Sequence, residues 1–320
     1  MEKSLVDISW VLVSAGLVFM MQAGFMCLES GLTRAKNSIN VAIKNITDFG
    51  ISVFLYWIIG FGIMFGASAG GWFGTNRFAL TFPDGMTGGW LATFFLFQAM
   101  FCGTATTIVS GAVAERMRFH GYLIVAAILS CFVYTFFGHW AWGGIYEASI
   151  GQNQVTYGWL WQLGFRDFAG STVVHGVGAW VALAVVLHIG PRTGRYSESG
   201  ESRKIHGHDL PIAILGALLL WLGWFGFNGG SIFAMDDRVP RVIANTVLSS
   251  ASGLIVALAI GWWVSGRAQV HRIINGSLAG LVAITASCNV VTAPSAALHR
   301  CNWRTCHVGG RGHFGALSNR

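Results

Sequence analysis

The chain has 320 residues, of which 54% are hydrophobic and only 10% are charged, whereas about 25% of the residues in an ordinary soluble domain are charged. This composition excludes a large soluble core, because soluble helices need charged faces at regular intervals and these are missing. The net charge of +7 does not indicate a nucleic-acid partner, since the basic residues lie in short connections, and the six cysteines form no C-x-x-C pair that would indicate zinc.

Apolar segments long enough to cross a membrane recur along the chain, since a bilayer core of about 30 Å requires about 20 helical residues. The first is too long for a cleaved signal peptide and is expected to remain as a span. The four-residue spacing of Gly62, Gly66 and Gly70 favours closely packed membrane helices. A ninth segment begins near Ala293. The eight complete spans are predicted approximately at residues 8–28, 49–69, 89–114, 121–143, 168–190, 210–235, 242–265 and 273–288.

Lysine and arginine fall unequally on the two sides of these spans, which predicts the orientation in the membrane. The side with eleven should be cytoplasmic, and it carries Arg34, Lys36, Lys44, Arg116, Arg118, Arg192, Arg195, Arg203, Lys204, Arg267 and Arg272. The other side has five: Lys3, Arg77, Arg166, Arg238 and Arg241. We therefore predict a multi-pass protein of the cell membrane with its N-terminus outside, in which residues 191–209 form the largest cytoplasmic loop and are mobile.

The spans are expected to form two similar halves, as in many transporters, and an odd number of spans in the first half inverts the second. With five spans in each half, the second half starts near Leu210. The similar strings QAGFMCLESG of the first span and WFGFNGG of the sixth support this division weakly. The second half is then incomplete.

His175 and Asp167 are ionisable residues in or beside the fifth span, where a charge costs at least about 2.5 kcal/mol on insertion scales. His175 is either a neutral histidine bonded to a neighbouring carbonyl or a residue that lines a pore, and the residue alone leaves both open. Asp167 precedes the span by one residue, and its residue type favours a helix N-cap.

Six strings occur in order along the chain and are similar to those of one family. They are GFMCLESGLTRAKN, FQAMF, GAVAERMRF, HWAWGG, DFAGSTVVH and WFGFNGGS. Together they resemble the Amt/Mep/Rh ammonium transporters, in particular the Amt branch. The resemblance implies an all-α membrane fold of eleven helices in two inverted five-helix repeats, a homotrimer with one pore in each subunit, ammonium transport in the cell membrane, and no cofactor.

The resemblance also implies the roles of individual residues. Trp142, Phe101 and Ser231 would bind ammonium at the outer mouth, because aromatic faces attract a cation by about 0.5 to 2 kcal/mol and a hydroxyl accepts a hydrogen bond. Phe101 and Phe227 would form a stacked gate below this site. Asp167 would support the cation site without touching ammonium. His175 would line the apolar pore, bind ammonia and relay the proton, which excludes potassium because potassium has no proton to give.

The sequence departs from the family after Leu298. In the family the partner of the pore histidine lies on the tenth helix, and residues 299–320 hold four arginines, three histidines and no acid. A one-base frame shift near codon 299 explains this segment, because the shifted codons permit an apolar string such as IGAIGGLVM that continues the ninth span. We therefore expect residues 1–298 to be an incomplete transporter domain and residues 299–320 an out-of-frame tail, in a product that does not transport.

Other functions are weighed against transport. Some family members are fused to a signalling domain and detect ammonium, so a sensor is the alternative, and the DNA downstream of codon 299 would separate the two. A non-functional truncated product is a further alternative. An intramembrane enzyme is disfavoured because no paired carboxylates, Ser-His pair or metal cluster is evident. The resemblance permits a PII-type regulatory protein on the cytoplasmic face.

The charge distribution generates a first test. A reporter fused after Arg195 should read as cytoplasmic and one fused after Asp236 as external, because the basic connections stay inside. Protease accessibility in intact cells checks the same assignment. The opposite pattern would contradict the charge count and put the aromatic mouth on the wrong side.

Overall fold

The computed structural model describes residues 3–298, which form a helical bundle with one small hairpin. The helices are α1 (Leu5–Leu32), α2 (Ala35–Leu55), α3 (Phe61–Phe65), α4 (Met86–Val113), α5 (Phe119–Ile128), α6 (Tyr134–Trp142), α7 (Ile145–Ser149), α8 (Trp159–Gln162), α9 (Val177–Ile189), α10 (Leu210–Gly230), α11 (Arg238–Ser265), α12 (Val270–Thr285) and α13 (Ala293–Ala297). Three π-helical turns lie at Tyr56–Gly60, Leu129–Val133 and Ser171–Gly176. The antiparallel hairpin pairs β1 (Ser68–Ala69) with β2 (Phe73–Gly74).

Within residues 3–298, seven continuous helical stretches are long and apolar enough to cross a membrane. The eighth predicted span corresponds to α12, whose 16 residues make it shorter than the others. The all-α membrane fold is confirmed. The predicted frame shift and tail at residues 299–320 lie outside the described residues.

The second span differs from its prediction at both ends. Its helix begins at Ala35 and runs through a π-helical turn to Phe65, because the polar residues that suggested a connection face other helices. Lys44 is therefore a buried residue of α2 and not the loop residue of the charge count. Gly66 ends α3, and Gly70 has a φ of 62° in the hairpin turn, so the glycine spacing there serves a turn and not a helix contact.

Close backbone packing joins α1 to α10, the first helices of the two predicted halves. A Cβ atom added to Gly24 would lie 2.9 Å from the backbone nitrogen of Leu220, and one added to Gly216 would lie 2.4 Å from that of Leu28. Only glycine lets the two backbones approach this closely, which is how membrane helices gain contact without a hydrophobic driving force.

Helix α4 runs through the centre of the bundle. From Thr93 to Val113 nearly all of its residues are buried, and its neighbours are α1 and α2 on one side and α9 on another. Ala105 and Ile108 meet Gly178 of α9. The two sides of this helix consequently face different environments.

Glu115 fastens three connections at the predicted cytoplasmic face. Its backbone is left-handed, with a φ of 66°. One carboxylate oxygen accepts from Arg34 Nε at 2.8 Å and Asn37 Nδ2 at 2.7 Å, and the other accepts from Arg192 Nη1 at 2.6 Å. Arg192 and Arg195 are buried, and the side chain of Arg195 donates to the carbonyl of Arg203. The loop of residues 191–209 is thus attached to Glu115 through Arg192, while most of its residues after Arg195 are exposed, and its mobility stays a prediction.

Burial alone would raise the pKa of the Glu115 carboxyl, but the hydrogen bonds from Arg34, Asn37 and Arg192 outweigh it and hold the pKa at about 2, against an ordinary 4.5. A carboxyl with a depressed pKa stabilises the folded state above its ordinary pKa. This contribution should therefore be full above about pH 4.5 and should be lost as the pH falls toward 2.

Glu115→Gln should lower the free energy of unfolding by about 3 kcal/mol near neutral pH, because it leaves buried Arg192 without its anion. The variant should also lose the dependence of stability on pH between about 5 and 2. Thermal unfolding of the purified chain in detergent measures both effects. Glu198→Gln, in an exposed part of the same loop region, is the control and should change neither. Equal behaviour of the two variants would contradict the assigned role.

Candidate functional site

Two phenylalanines from different halves of the chain stack in the interior. The rings of Phe101 on α4 and Phe227 on α10 lie 3.9 Å apart between centroids and 7° from parallel. Both are buried. Phe97 packs on Phe101 at 4.6 Å. The two rings are therefore in direct stacking contact between α4 and α10.

The indole of Trp142 lies above this pair at the end of α6. Its centroid is 6.2 Å from that of Phe101, with the planes inclined by 52°. The indole Nε1 donates to the backbone carbonyl of Asp167 at 2.7 Å. This hydrogen bond fixes the ring and leaves its face for contact with a neighbour.

Ser231 follows the last residue of α10 and completes this group. Its hydroxyl donates to the carbonyl of Phe227 at 2.8 Å, and the side chain is 7% exposed. Since the proton of the hydroxyl is engaged in that bond, the lone pairs of its oxygen are available to a donor.

The carboxylate of Asp167 is saturated with backbone donors. One oxygen accepts from the N–H groups of Gly170 at 3.0 Å and Ser171 at 2.9 Å, and the other from Thr172 at 2.7 Å and Val173 at 2.9 Å. Burial raises the pKa of this carboxyl, and the four N–H groups oppose that rise. Asp167 can therefore cap the helix, as its residue type suggests, and also support Trp142. Its carboxylate binds the backbone N–H groups, and its carbonyl binds the indole.

His175 lies at the end of the π-helical turn that opens the fifth span. Its ring stacks on Trp224 of α10, with centroids 4.9 Å apart and planes 13° from parallel, and lies 5.2 Å from the ring of Phe227. Trp224 Nε1 donates to Thr285 Oγ1 of α12 at 2.8 Å. His175 is 1% exposed. The imidazole is thus in an apolar, aromatic surrounding directly beside the phenylalanine pair.

Ring contacts and one hydrogen bond connect five of the six residues singled out in the sequence: Trp142, Phe101, Phe227, His175 and Asp167. The sixth, Ser231, lies one turn after Phe227 and bonds to its carbonyl. Their roles in binding, gating and proton relay remain predictions.

Sequence reasoning missed two neighbours of these residues. Trp224 stacks on the imidazole of His175. It belongs to the sequence string WFGFNGGS, which also contains Phe227. His139 precedes Trp142 by one helical turn, and its two ring nitrogens lie 2.9 Å from the carbonyl oxygen of Met64 and 2.8 Å from the hydroxyl of Ser68. This histidine therefore fastens the end of α6 to the hairpin.

Within residues 3–298, no group of three or more histidine, cysteine or acidic side chains is placed to hold a metal ion. Cys102, Cys131 and Cys288 are buried free thiols, as expected from their apolar surroundings, and Cys27 is half-buried. The site described above consists of aromatic rings, the imidazole of His175, the hydroxyl of Ser231, the carboxylate of Asp167 and backbone groups.

Comparison with known sequences gives one family. The model of the Ammonium Transporter Family matches residues 9–299. A Synechocystis protein whose name marks it as a candidate ammonium transporter is 58% identical over 291 residues, which are 91% of this chain and 53% of that protein. The ammonium transporter Amt2 of Archaeoglobus fulgidus is 43% identical over 284 residues, 88% of this chain and 60% of that protein. The chain thus spans between half and two thirds of the length of these relatives.

Solved structures share the fold. A protein described as a sensor Amt protein superposes with a TM-score of 0.84 at 40% identity and covers 91% of this chain and 71% of its own. Mep2 of Candida albicans superposes with a TM-score of 0.83 at 25% identity and covers 99% of this chain and 68% of its own.

Proposed function

Because this chain belongs to the ammonium transporter family, we propose that its transmembrane domain, residues 1–298, recruits ammonium at the outer mouth and passes ammonia through an apolar pore. The single observation that carries the proposal is a continuous column of rings, which runs from Trp142 over the stacked pair of Phe101 and Phe227 to His175. These side chains are suited to binding and conducting a small molecule, as in a channel or transporter, and not to catalysis as in an enzyme.

The upper part of the column suits a small monovalent cation that can donate hydrogen bonds. The faces of Trp142 and Phe101 attract a cation by about 0.5 to 2 kcal/mol, and more as water is removed. Ser231 adds an acceptor, because its own proton is held by the carbonyl of Phe227. Ammonium can donate an N–H hydrogen bond to this oxygen, whereas an alkali ion has no hydrogen to donate.

The lower part of the column suits a neutral molecule. An ion that entered the space around His175 and Trp224 would lose its hydration with no counter-charge and would pay several kcal/mol. Ammonium avoids this cost if it passes as ammonia and its proton is transferred separately to the imidazole of His175. The imidazole of His175 can then hydrogen-bond ammonia or relay the proton. Potassium has no such route.

A sensor of ammonium is the second candidate. The observation that favours it is the superposition with the protein described as a sensor Amt protein, at 40% identity. A sensor needs the outer binding site but not conduction, so binding without uptake distinguishes it from a transporter.

The assembly and orientation are part of the proposal. We take the functional form to be a homotrimer in the lipid bilayer of the cell, with the N-terminus outside. Arg34 and Arg192, held by Glu115, then lie on the cytoplasmic face, where a PII-type regulatory protein could dock. No nucleic acid is a partner.

The outer site is tested by removing its cation-stabilising groups one at a time. Trp142→Leu and Ser231→Ala should each weaken binding of methylammonium to the purified chain by about 1 kcal/mol, or roughly fivefold. Calorimetric titration measures the change. Trp262→Leu, at a side chain that is 58% exposed on α11, is the control and should bind normally. The same loss in all three would reduce the effect to general damage.

The pore is tested at its imidazole. His175→Leu should reduce ammonium uptake by about a hundredfold or more, because proton transfer loses its partner, while methylammonium binding at the outer site stays unchanged. The matched control is His188→Leu, which alters an exposed histidine of the same helix. Uptake is measured as growth of a transporter-deficient host on limiting ammonium at low pH, with the reading frame corrected near codon 299. The uncorrected gene, which is expected not to transport, sets the background growth. Undiminished uptake by the His175 variant would contradict the proposed pore.

A further inference from the structure

A second polar cluster lies on the side of α4 that faces away from the aromatic column. Ser110 and Thr107 are about half a turn out of phase with Phe101 on this helix, and they face α1, α2 and α5. The cluster consists of Glu29, Asn45, Asp48, Thr107, Ser110 and Tyr122, all at most 2% exposed. The proposed transport pathway uses none of these side chains.

Two carboxyl groups meet in this cluster. Glu29 Oε2 accepts from Asn45 Nδ2 at 2.9 Å and from Ser110 Oγ at 2.9 Å. One turn further along α2 and α4, Asp48 accepts from the hydroxyls of Thr107, at 3.2 Å, and Tyr122. The fold thus pairs acidic groups that the sequence did not mark as a pair.

The hydrogen bonding of the cluster is incomplete within the described part of the chain. Glu29 Oε1 and Asn45 Oδ1 are both buried, and neither has a hydrogen-bond partner among residues 3–298. Their own residues are joined through Glu29 Oε2 and Asn45 Nδ2, so the two oxygens belong to the same cluster. A buried acceptor that lacks a donor is costly in a membrane interior, and a proton added to Glu29 would turn one of its oxygens into a donor.

The charges of the cluster do not balance either. Helix α2 contributes Asp48 and Lys44 to the cluster. The Nζ of Lys44 donates to the carbonyl of Met117 at 3.1 Å and lies 5.7 Å from the centroid of the Tyr122 ring. From α1 the cluster is faced by Glu29. The adjoining faces of α4 and α5 offer hydroxyl groups only, and α10 carries no charged residue. Two carboxylates and one ammonium leave one negative charge, which is expensive to bury unpaired.

We propose that this cluster is a proton-binding site, which holds one proton on the carboxyl pair of Glu29 and Asp48 and is separate from the pore. A hydronium ion of the solvent supplies the proton, so an O–H bond forms on one carboxyl and a water molecule is released. The site lies close to the predicted cytoplasmic face, because Glu29 and Ser110 each stand one turn before the end of their helix and Lys44 reaches the half-exposed connection at Met117.

A proton fits this place better than a metal cation. Hard cations such as Ca²⁺ and Mg²⁺ take about six to eight oxygen ligands, and only Glu29 Oε1 and Asn45 Oδ1 lack a partner here. The hydroxyl groups around Asp48 also have other acceptors, since Thr107 donates to Gln22 Oε1 at 2.8 Å and Tyr122 reaches the carbonyl of Thr106 at 3.3 Å. Either carboxyl can therefore be neutral without leaving a donor unused.

The test counts the protons that the cluster binds. Because Lys44 balances one negative charge, the number of bound protons should equal the number of acidic groups minus one. Infrared spectroscopy of the full chain in lipid vesicles at neutral pH should show one protonated-carboxyl band that shifts when the water is replaced by deuterium oxide. Glu29→Gln and Asp48→Asn keep the shape and each leave one acid beside Lys44, so each should abolish the band. Lys44→Met should double it. Glu147→Gln, in the half-buried pair with Arg77, is the control and should leave it unchanged.

The outcomes separate the proposal from its rivals. A wild-type chain without the band at neutral pH, or a band that survives both Glu29→Gln and Asp48→Asn, would overturn it. A band that appears only after sodium and potassium are replaced by a bulky organic cation would mean that an alkali ion occupies the site, and would overturn it equally. If Lys44→Met fails to elute as a folded species, the two acid variants decide the question alone.

Discussion

The carboxylate of Asp167 accepts four backbone N–H groups at the start of the fifth span, and the positions of both Trp142 and His175 depend on it. In a bilayer no water can satisfy the first N–H groups of a helix, so an acceptor from the chain must do so. Because Asp167 provides it, the turn that carries His175 is held in place. Its carbonyl meanwhile holds the indole of Trp142. One buried residue thus couples the mouth of the column to its interior.

The turn that Asp167 caps is π-helical, and this matters for the imidazole. A π-helical turn is wider than an α-helical one and occurs often at functional sites. At Ser171–Gly176 it turns His175 onto the faces of Trp224 and Phe227. The two other π-helical turns meet each other instead, since a Cβ atom added to Gly60 would lie 2.8 Å from the carbonyl of Ser130. Both kinds satisfy their backbone within the bundle, as a membrane requires.

The sequence predicted the membrane class, the number of spans to within one short helix, and six residues of the column, because long apolar segments and ordered motifs are local signals. It did not predict the start of the second span. Lys44 and Asp48 read as a polar connection, and their burial depends on partners from α1, α4 and α5 that are distant in sequence. A sequence pattern shows that a charged residue is present, but it does not show which distant residues pair with it. The stacking of Trp224 on His175 was missed for the same reason.

Helix α4 lies between the aromatic column and the polar cluster, which hold polar groups inside the membrane in two different ways. On one side, Phe101 faces a column in which polar groups are few, and the indole of Trp142 and the hydroxyl of Ser231 are each bonded to a backbone carbonyl. On the other side, Thr107 and Ser110 connect carboxyl groups in a dense network. The polar groups of the column keep unused hydrogen-bonding positions, whereas those of the cluster form almost all of their hydrogen bonds with one another. A substitution on α4 that shifts the helix by a fraction of an ångström therefore disturbs both, because close packing transmits the displacement across the helix.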